Sequence, residues 1–135
     1  MAYIKINTNS GNTGLVTIVL STEKKLFTFL IDTGSNVSHI DKSAISLLQN
    51  YTKVSINNSS TVGINGTLDS NMKVQLLLNS GVFTFSHQYL VTDLSTMIKS
   101  IEDNSNLKIH GILGTDFLSK YMCHLDFKKS RLHLG

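Results

Sequence analysis

Apolar residues in this chain come in short runs, each closed by Gly, Asn or Ser, with no proline anywhere. Leu15 to Leu20, Leu26 to Ile31, Met72 to Leu78 and Val82 to Val91 read as strands, with turns at Glu23-Lys24-Lys25 and Asn79-Ser80-Gly81. Ala2 to Asn7, Val37 to Ile40, Val54 to Ile56 and Thr61 to Ile64 are weaker strand candidates, and Cys123 to Phe127 with Arg131 to Leu134 form a terminal hairpin. Helical signals are few. Lys42 to Leu48 suits a brief helix with Asp41 as its N-cap, and Asp116 to Tyr121 suits another. Asp93 to Asn106 reads as a polar loop on which Met97, Ile98 and Ile101 form at most a loose helical turn. So many short strands and so little helix predict a mostly β barrel or sandwich in a single domain spanning residues 1–135.

A chain of 135 residues with 41% hydrophobic content buries roughly two thirds of its unfolded surface, enough to fold without a disulfide or metal scaffold. Its one cysteine, Cys123, has no partner for an intrachain disulfide, and no Cys/His cluster has zinc-ligand spacing. No metal or cofactor is expected. The net charge of +3 is scattered, with small clusters at Lys24-Lys25 and at Lys128-Lys129 with Arg131, so no nucleic-acid footprint is predicted. No apolar run approaches the ~20 residues that span a bilayer, and no signal peptide is visible, which predicts a cytoplasmic protein or a segment released from a longer polyprotein.

The chemistry concentrates where the strand Leu26 to Ile31 runs directly into Asp32-Thr33-Gly34-Ser35. Asp is depleted in strands and costly to bury unpaired, so an Asp at the end of an apolar strand calls for a partner or a task. Thr33 supplies a hydroxyl, and Gly34 with Ser35 lets the backbone turn amides toward the carboxylate or a ligand. The triplet alone is equally compatible with an ordinary Asp turn. About eighty residues on stands a second motif, Gly111-Ile112-Leu113-Gly114-Thr115-Asp116-Phe117-Leu118, an apolar strand ending in glycine and followed by a helix start.

Together the two stretches resemble the retropepsin family, the aspartic proteases of retroviruses and LTR retrotransposons. In that family a strand ending in D-T-G is followed by a flap hairpin, then by an I-L-G strand and a C-terminal helix. Retrotransposon members often carry I-L-G-x-D-F-L, which Ile112 to Leu118 matches. The resemblance extends from about Leu15 to Leu134. It implies a retropepsin-like closed barrel of the acid protease type, with one short C-terminal helix, active as a homodimer. It further implies Asp32, Thr33 and Gly34 as the catalytic triplet. Backbone groups of Gly34, Ser35 and Asn36 would hold an extended peptide, Leu30, Val37 and Ile112 would wall apolar subsites, and Gly63-Ile64-Asn65-Gly66 would form the flap tip. Each of these has a plainer reading, as core for Leu30, Val37 and Ile112 and as a Gly/Asn turn for the flap.

The departures are specific. Many retroviral enzymes pair an acidic residue just after the triplet with an arginine in the second motif, and here those places hold Asn36 and Thr115. The segment Asp93 to Asn106 is longer than in compact viral enzymes. His39 and His110 beside the motif strands read as partly exposed, hydrogen-bonded side chains; His87, His124 and His133 read as outer-face residues; Met72, Met97 and Met122 read as core filler.

Peptide hydrolysis of this type needs two carboxylates sharing one proton, one acting as base on water and the other as acid toward the carbonyl. The chain holds one D-T-G, and Asp41, Asp69, Asp116 and Asp126 lack its surroundings. Two copies must therefore meet about a twofold axis, with the terminal segments as the expected source of a dimer sheet. The substrate implied is an extended peptide or a polyprotein, processed in the cytoplasm or inside virus-like particles. Two alternatives remain: a catalytically silent peptide-binding or dimerisation module of the same fold, or a protease domain from a cellular ubiquitin-shuttle type protein.

Overall fold

The structure, a computed structural model, describes residues 2–54 and 72–135. The element order is β1 (Ala2–Lys5), β2 (Asn7–Ser10), β3 (Leu15–Thr22), β4 (Lys25–Ile31), β5 (His39–Asp41), α1 (Lys42–Ile45), β6 (Thr52–Val54), β7 (Lys73–Ser80), β8 (Phe83–Thr92), α2 (Ser95–Ser105), β9 (Gly111–Leu113), α3 (Thr115–Lys120), β10 (His124–Asp126) and β11 (Arg131–Leu134).

Strand alternation builds the barrel. Ile18 and Leu20 on β3, Phe27, Phe29 and Ile31 on β4, Val74, Leu76 and Leu78 on β7, and Phe85, Tyr89 and Val91 on β8 all point inward and are buried. Each fully buried Leu or Phe stabilises the fold by about 1.5–3 kcal/mol relative to exposure. The eight-stranded sheet runs β2-β3-β4-β9-β5-β8-β7-β6, and a further pairing of β3 with β7 at Ser21 and Asn79 closes six of its strands on themselves. Closure leaves the six barrel strands without a long free edge. Most pairings are antiparallel, but β4–β9 and β5–β8 are parallel. The short β9 lies between β4 and β5, bringing the two sequence motifs side by side.

The β3–β4 connection is a tight turn in which Glu23 and Lys24 both take positive φ, 51° and 63°. The Glu23 carboxylate accepts the amides of Gln49 and Asn50, tying the turn to the chain beyond α1. Asp41 caps α1 as expected, accepting from the Ser43 amide at 3.1 Å, but the helix ends at Ile45 rather than Leu48.

Two expectations are corrected. The described residues contain three helices, not one short C-terminal helix, and the longest, α2, occupies the stretch read as a loop. It buries no residue fully, which is why its apolar pattern is faint; Asn106 ends it in the left-handed conformation at φ 59°. Met122, read as core, is exposed, because it lies in the turn after α3 at φ 48°. The terminal segments pair with each other as a three-stranded antiparallel sheet, β1-β11-β10, leaving β1 and β10 as its edges.

Candidate active site

Asp32 follows β4 directly, and its amide donates to the Leu113 carbonyl at 3.0 Å, extending the parallel ladder one residue beyond Ile31. The backbone then turns. The Ser35 amide donates to the Asp32 carbonyl at 3.1 Å, and the Gly34 amide donates to Asp32 Oδ1 at 2.9 Å, fixing one oxygen of the carboxylate. The carboxyl is half-buried, and Thr33, Gly34 and Asn36 are exposed. A fixed, accessible carboxylate at the end of an apolar strand is suited to proton transfer with a bound molecule.

The second motif holds this turn from behind. Thr115 donates its amide to the Ser35 carbonyl at 2.8 Å. A side chain at Gly114 would place its Cβ 2.5 Å from the Ser35 oxygen and 2.9 Å from that of Val37; one at Gly111 would meet the His39 oxygen and the Phe29 ring, both at 2.5 Å. Both glycines are there because neighbouring groups pass too close for any Cβ.

Leu30 and Ile112 are register partners across β4–β9, and Leu30 lies two residues before Asp32, so all three share a face of the sheet. Leu30 is half-buried; Ile112 is buried but lies outside the main hydrophobic cluster. Ser35 donates its hydroxyl to the Val37 carbonyl at 2.7 Å, and Val37 is half-buried. The stretch Gly63-Ile64-Asn65-Gly66 lies outside the described residues. His39 shares a hydrogen bond with the Thr92 hydroxyl at 2.8 Å, and His110 Nδ1 accepts the Thr28 amide at 3.0 Å.

A family model for retroviral aspartyl proteases matches residues 10–126. The chain belongs to the retroviral aspartyl protease family. Its fold is similar to that of the retroviral protease-like domain of Ddi1 from Leishmania major, at 14% identity, with 89% of this chain and 87% of that one covered and a TM-score of 0.56. A retropepsin-like aspartic protease from Rickettsia conorii aligns at 17% identity over 97% of this chain and 86% of that one, with a TM-score of 0.46. No curated protein sequence matches the chain.

In place of the acid–arginine pair often seen in this family, the turn is braced through Asp116. Asp116 Oδ2 accepts the Ser38 amide at 3.0 Å and His87 Nε2 at 3.0 Å; Oδ1 accepts the Ser38 hydroxyl at 2.7 Å and the Phe117 amide at 2.8 Å. Ser38 Oγ in turn accepts the Gly114 amide at 3.0 Å. Burial pushes the Asp116 carboxyl up, but these donors from Ser38, His87 and Phe117 outweigh it and hold it below the usual carboxylate range. Burial pulls the His87 ring down against the pull of Asp116, so the pair is a neutral imidazole donating to a carboxylate rather than an ion pair.

This corrects the reading of His87 as an outer-face residue. It is 7% exposed and packs edge-on to Tyr89 and Phe117. The signal was present: Phe85, His87, Tyr89 and Val91 fall on one parity of β8, the buried one. Asp116 lacks a triplet around it, but it stands in the first turn of α3 directly after the second motif.

Among the described residues no group of three His, Cys, Asp or Glu side chains is placed to hold a metal ion, and no helix is long and apolar enough to cross a membrane.

Proposed function

We propose that this chain is an aspartic endopeptidase that hydrolyses extended peptides with a pair of Asp32 carboxylates contributed by two copies of the chain. The observation that carries the reading is the Asp32 turn itself: a half-buried carboxylate, oriented by the Gly34 amide and held by the β4–β9 ladder. The other aspartate beside this turn, Asp116, already accepts four hydrogen bonds and is unsuited to be its partner in catalysis. One carboxylate per chain requires a second chain. Across the twofold axis the two Asp32 groups share one proton, since like charges ~3 Å apart cannot both ionise. The ionised member takes a proton from water as it attacks the scissile carbonyl, and the protonated member donates to the carbonyl oxygen.

Thr33 supports the dimer. It is exposed and lines a cavity of about 310 Å³ with Leu118, Met122, Cys123 and Leu125, and its hydroxyl has no hydrogen-bond partner among the described residues. The exposed Met122 and the free edge of β10 adjoin that cavity and suit contact with a second copy. Leu30 and Ile112 would form apolar subsite walls, with Asn36 and Val37 lining the substrate path beyond Ser35. The I-L-G-x-D-F-L wording from Ile112 to Leu118 favours a retrotransposon-type polyprotein as substrate, in the cytoplasm or a virus-like particle.

Asp32→Asn is expected to abolish cleavage of a peptide pool while light scattering still reports the wild-type dimer mass. Wild-type cleavage rates in purified Asp32→Asn protein would refute the mechanism. The wild-type rate is expected to trace a bell centred below neutral pH, because the dyad works with one proton; a rate that climbs steadily into alkali contradicts it.

A further inference from the structure

A second cavity, of about 360 Å³, opens beside the turn that follows the catalytic triplet; Asn36 and Val37 line it together with β7, β8 and α3. Its chemistry differs from the apolar face formed by Leu30 and Ile112. Lys73 comes from β7 and Lys120 from the last turn of α3, with Gln75 and Gln88, register partners across β7–β8, between them. His87 and Asp116 complete the lining.

The charges decide what such a cavity accepts. The negative charge of Asp116 is already met by the Ser38 amide and hydroxyl, the Phe117 amide and the His87 ring. Neither lysine forms an ion pair among the described residues. Lys120 donates to the Ser86 carbonyl at 2.5 Å and lies 5.5 Å from the Tyr121 ring centre, so its ammonium is held in place with two donors to spare. Among the described residues, two lysine charges, that of Lys120 held in place, stand against one saturated carboxylate and leave the cavity lining net positive. Asn36, standing where many relatives carry an acid, adds no negative charge to offset them.

We infer that Lys73 and Lys120 form a specificity subsite for a carboxylate side chain, so that the preferred substrates carry Glu or Asp at an outer position, away from the scissile bond. The inference rests on the reading of the Asp32 turn as a peptide-cleaving site, and it names the substrate class. Attraction of this kind, between partly exposed groups, is modest, corresponding to about a fivefold preference for acid over amide. It weakens as salt screens it.

The test uses peptides identical except for one residue, Glu, Gln or Lys, moved through the outer positions on both sides of the cleaved bond. Wild-type protein is expected to cleave the Glu peptide about fivefold better than the Gln peptide at one position, by kcat/KM, with Lys worst. Lys73→Gln with Lys120→Gln is expected to bring the ratio near one, and Lys73→Glu with Lys120→Glu to favour Lys. Equal cleavage of Glu and Gln peptides at every position, or a Glu preference that persists in the Gln variant, overturns the inference. Should the double variants fail to fold, the wild-type ratio itself decides: it must fall toward one as NaCl rises, and a salt-independent ratio refutes an ionic subsite. Should wild-type protein cleave no peptide, the protease reading fails. The subsite is then decided by binding of the same fluorescent peptides to wild-type protein, where equal affinity for Glu and Gln overturns it.

Discussion

Among the described residues, Asp32 accepts one hydrogen bond, from the Gly34 amide, whereas Asp116 accepts four. A carboxylate with unoccupied lone pairs can engage water and substrate; a saturated one holds other groups in place. Their substitutions should therefore separate. Asp32→Asn is expected to leave the urea unfolding free energy within about 1 kcal/mol of wild type, as surface changes do. Asp116→Ala strands the donors of Ser38, His87 and Phe117 and should cost about 2–4 kcal/mol, lowering activity because the Asp32 turn loses its brace. Gly114→Ala should cost about 1–3 kcal/mol, since its Cβ would sit 2.5 Å from the Ser35 oxygen and the turn must move; an unchanged urea midpoint would contradict this. Asp32 and Gly114 stand out in the sequence through their motifs. Asp116 and His87 do not, because a buried polar pair declares itself only when strand parity and a distant helix are superposed.

The strands are legible at the level of elements because their apolar residues alternate: β3, β4, β7, β8, β10 and β11 fall within a few residues of where periodicity predicts them. Helix α2 is not. Met97, Ile98 and Ile101 have helical spacing, but Asp103, Asn104 and Ser105 are poor helix formers, and the N-cap, Leu94, contributes no side-chain hydrogen bond. The barrel closure through β3–β7 involves a single residue pair, Ser21 and Asn79, and no local pattern announces it. Among the non-glycine residues at positive φ, Lys24 in the β3–β4 turn has the largest, 63°, where a side chain is strained. Lys24→Gly should raise stability by about 0.5–1 kcal/mol, read as an increase in the urea midpoint at constant slope. Loss of stability would show that the lysine makes a compensating contact.

At the scale of the whole molecule, Asp116 and His87 make the fold respond to acid in the same direction. The Asp116 carboxyl is depressed in the fold, so its stabilisation is complete above the unfolded carboxylate range and is lost as pH falls through the folded value. The His87 ring is also depressed; below its ordinary value near 6.5 the unfolded chain binds a proton that the fold refuses, and stability again declines with falling pH. Melting temperature should therefore drop from pH 7 toward pH 4. His87→Gln should flatten the part of that decline nearest neutrality. A melting temperature that rises into acid would reverse the sign of both assignments. Under the proposed function the shared proton draws the rate optimum toward acid while this brace favours neutrality, so loss of the fold adds to the acid limb that protonation of the dyad already sets.

The parallel pairing of β4 with β9 also sets an order in time. Thr28 and His110, bonded to each other through backbone and ring, are 82 residues apart in the chain. During synthesis β4 leaves the ribosome long before the strand that holds Asp32 in position, and loop closure over such a distance makes this contact late as well as slow. The Asp32 turn thus has a built-in delay. A nascent chain that has not yet displayed Gly111 to Gly114 has its aspartate but no framework to hold it, so under the proposed function neighbouring polypeptide is spared until then.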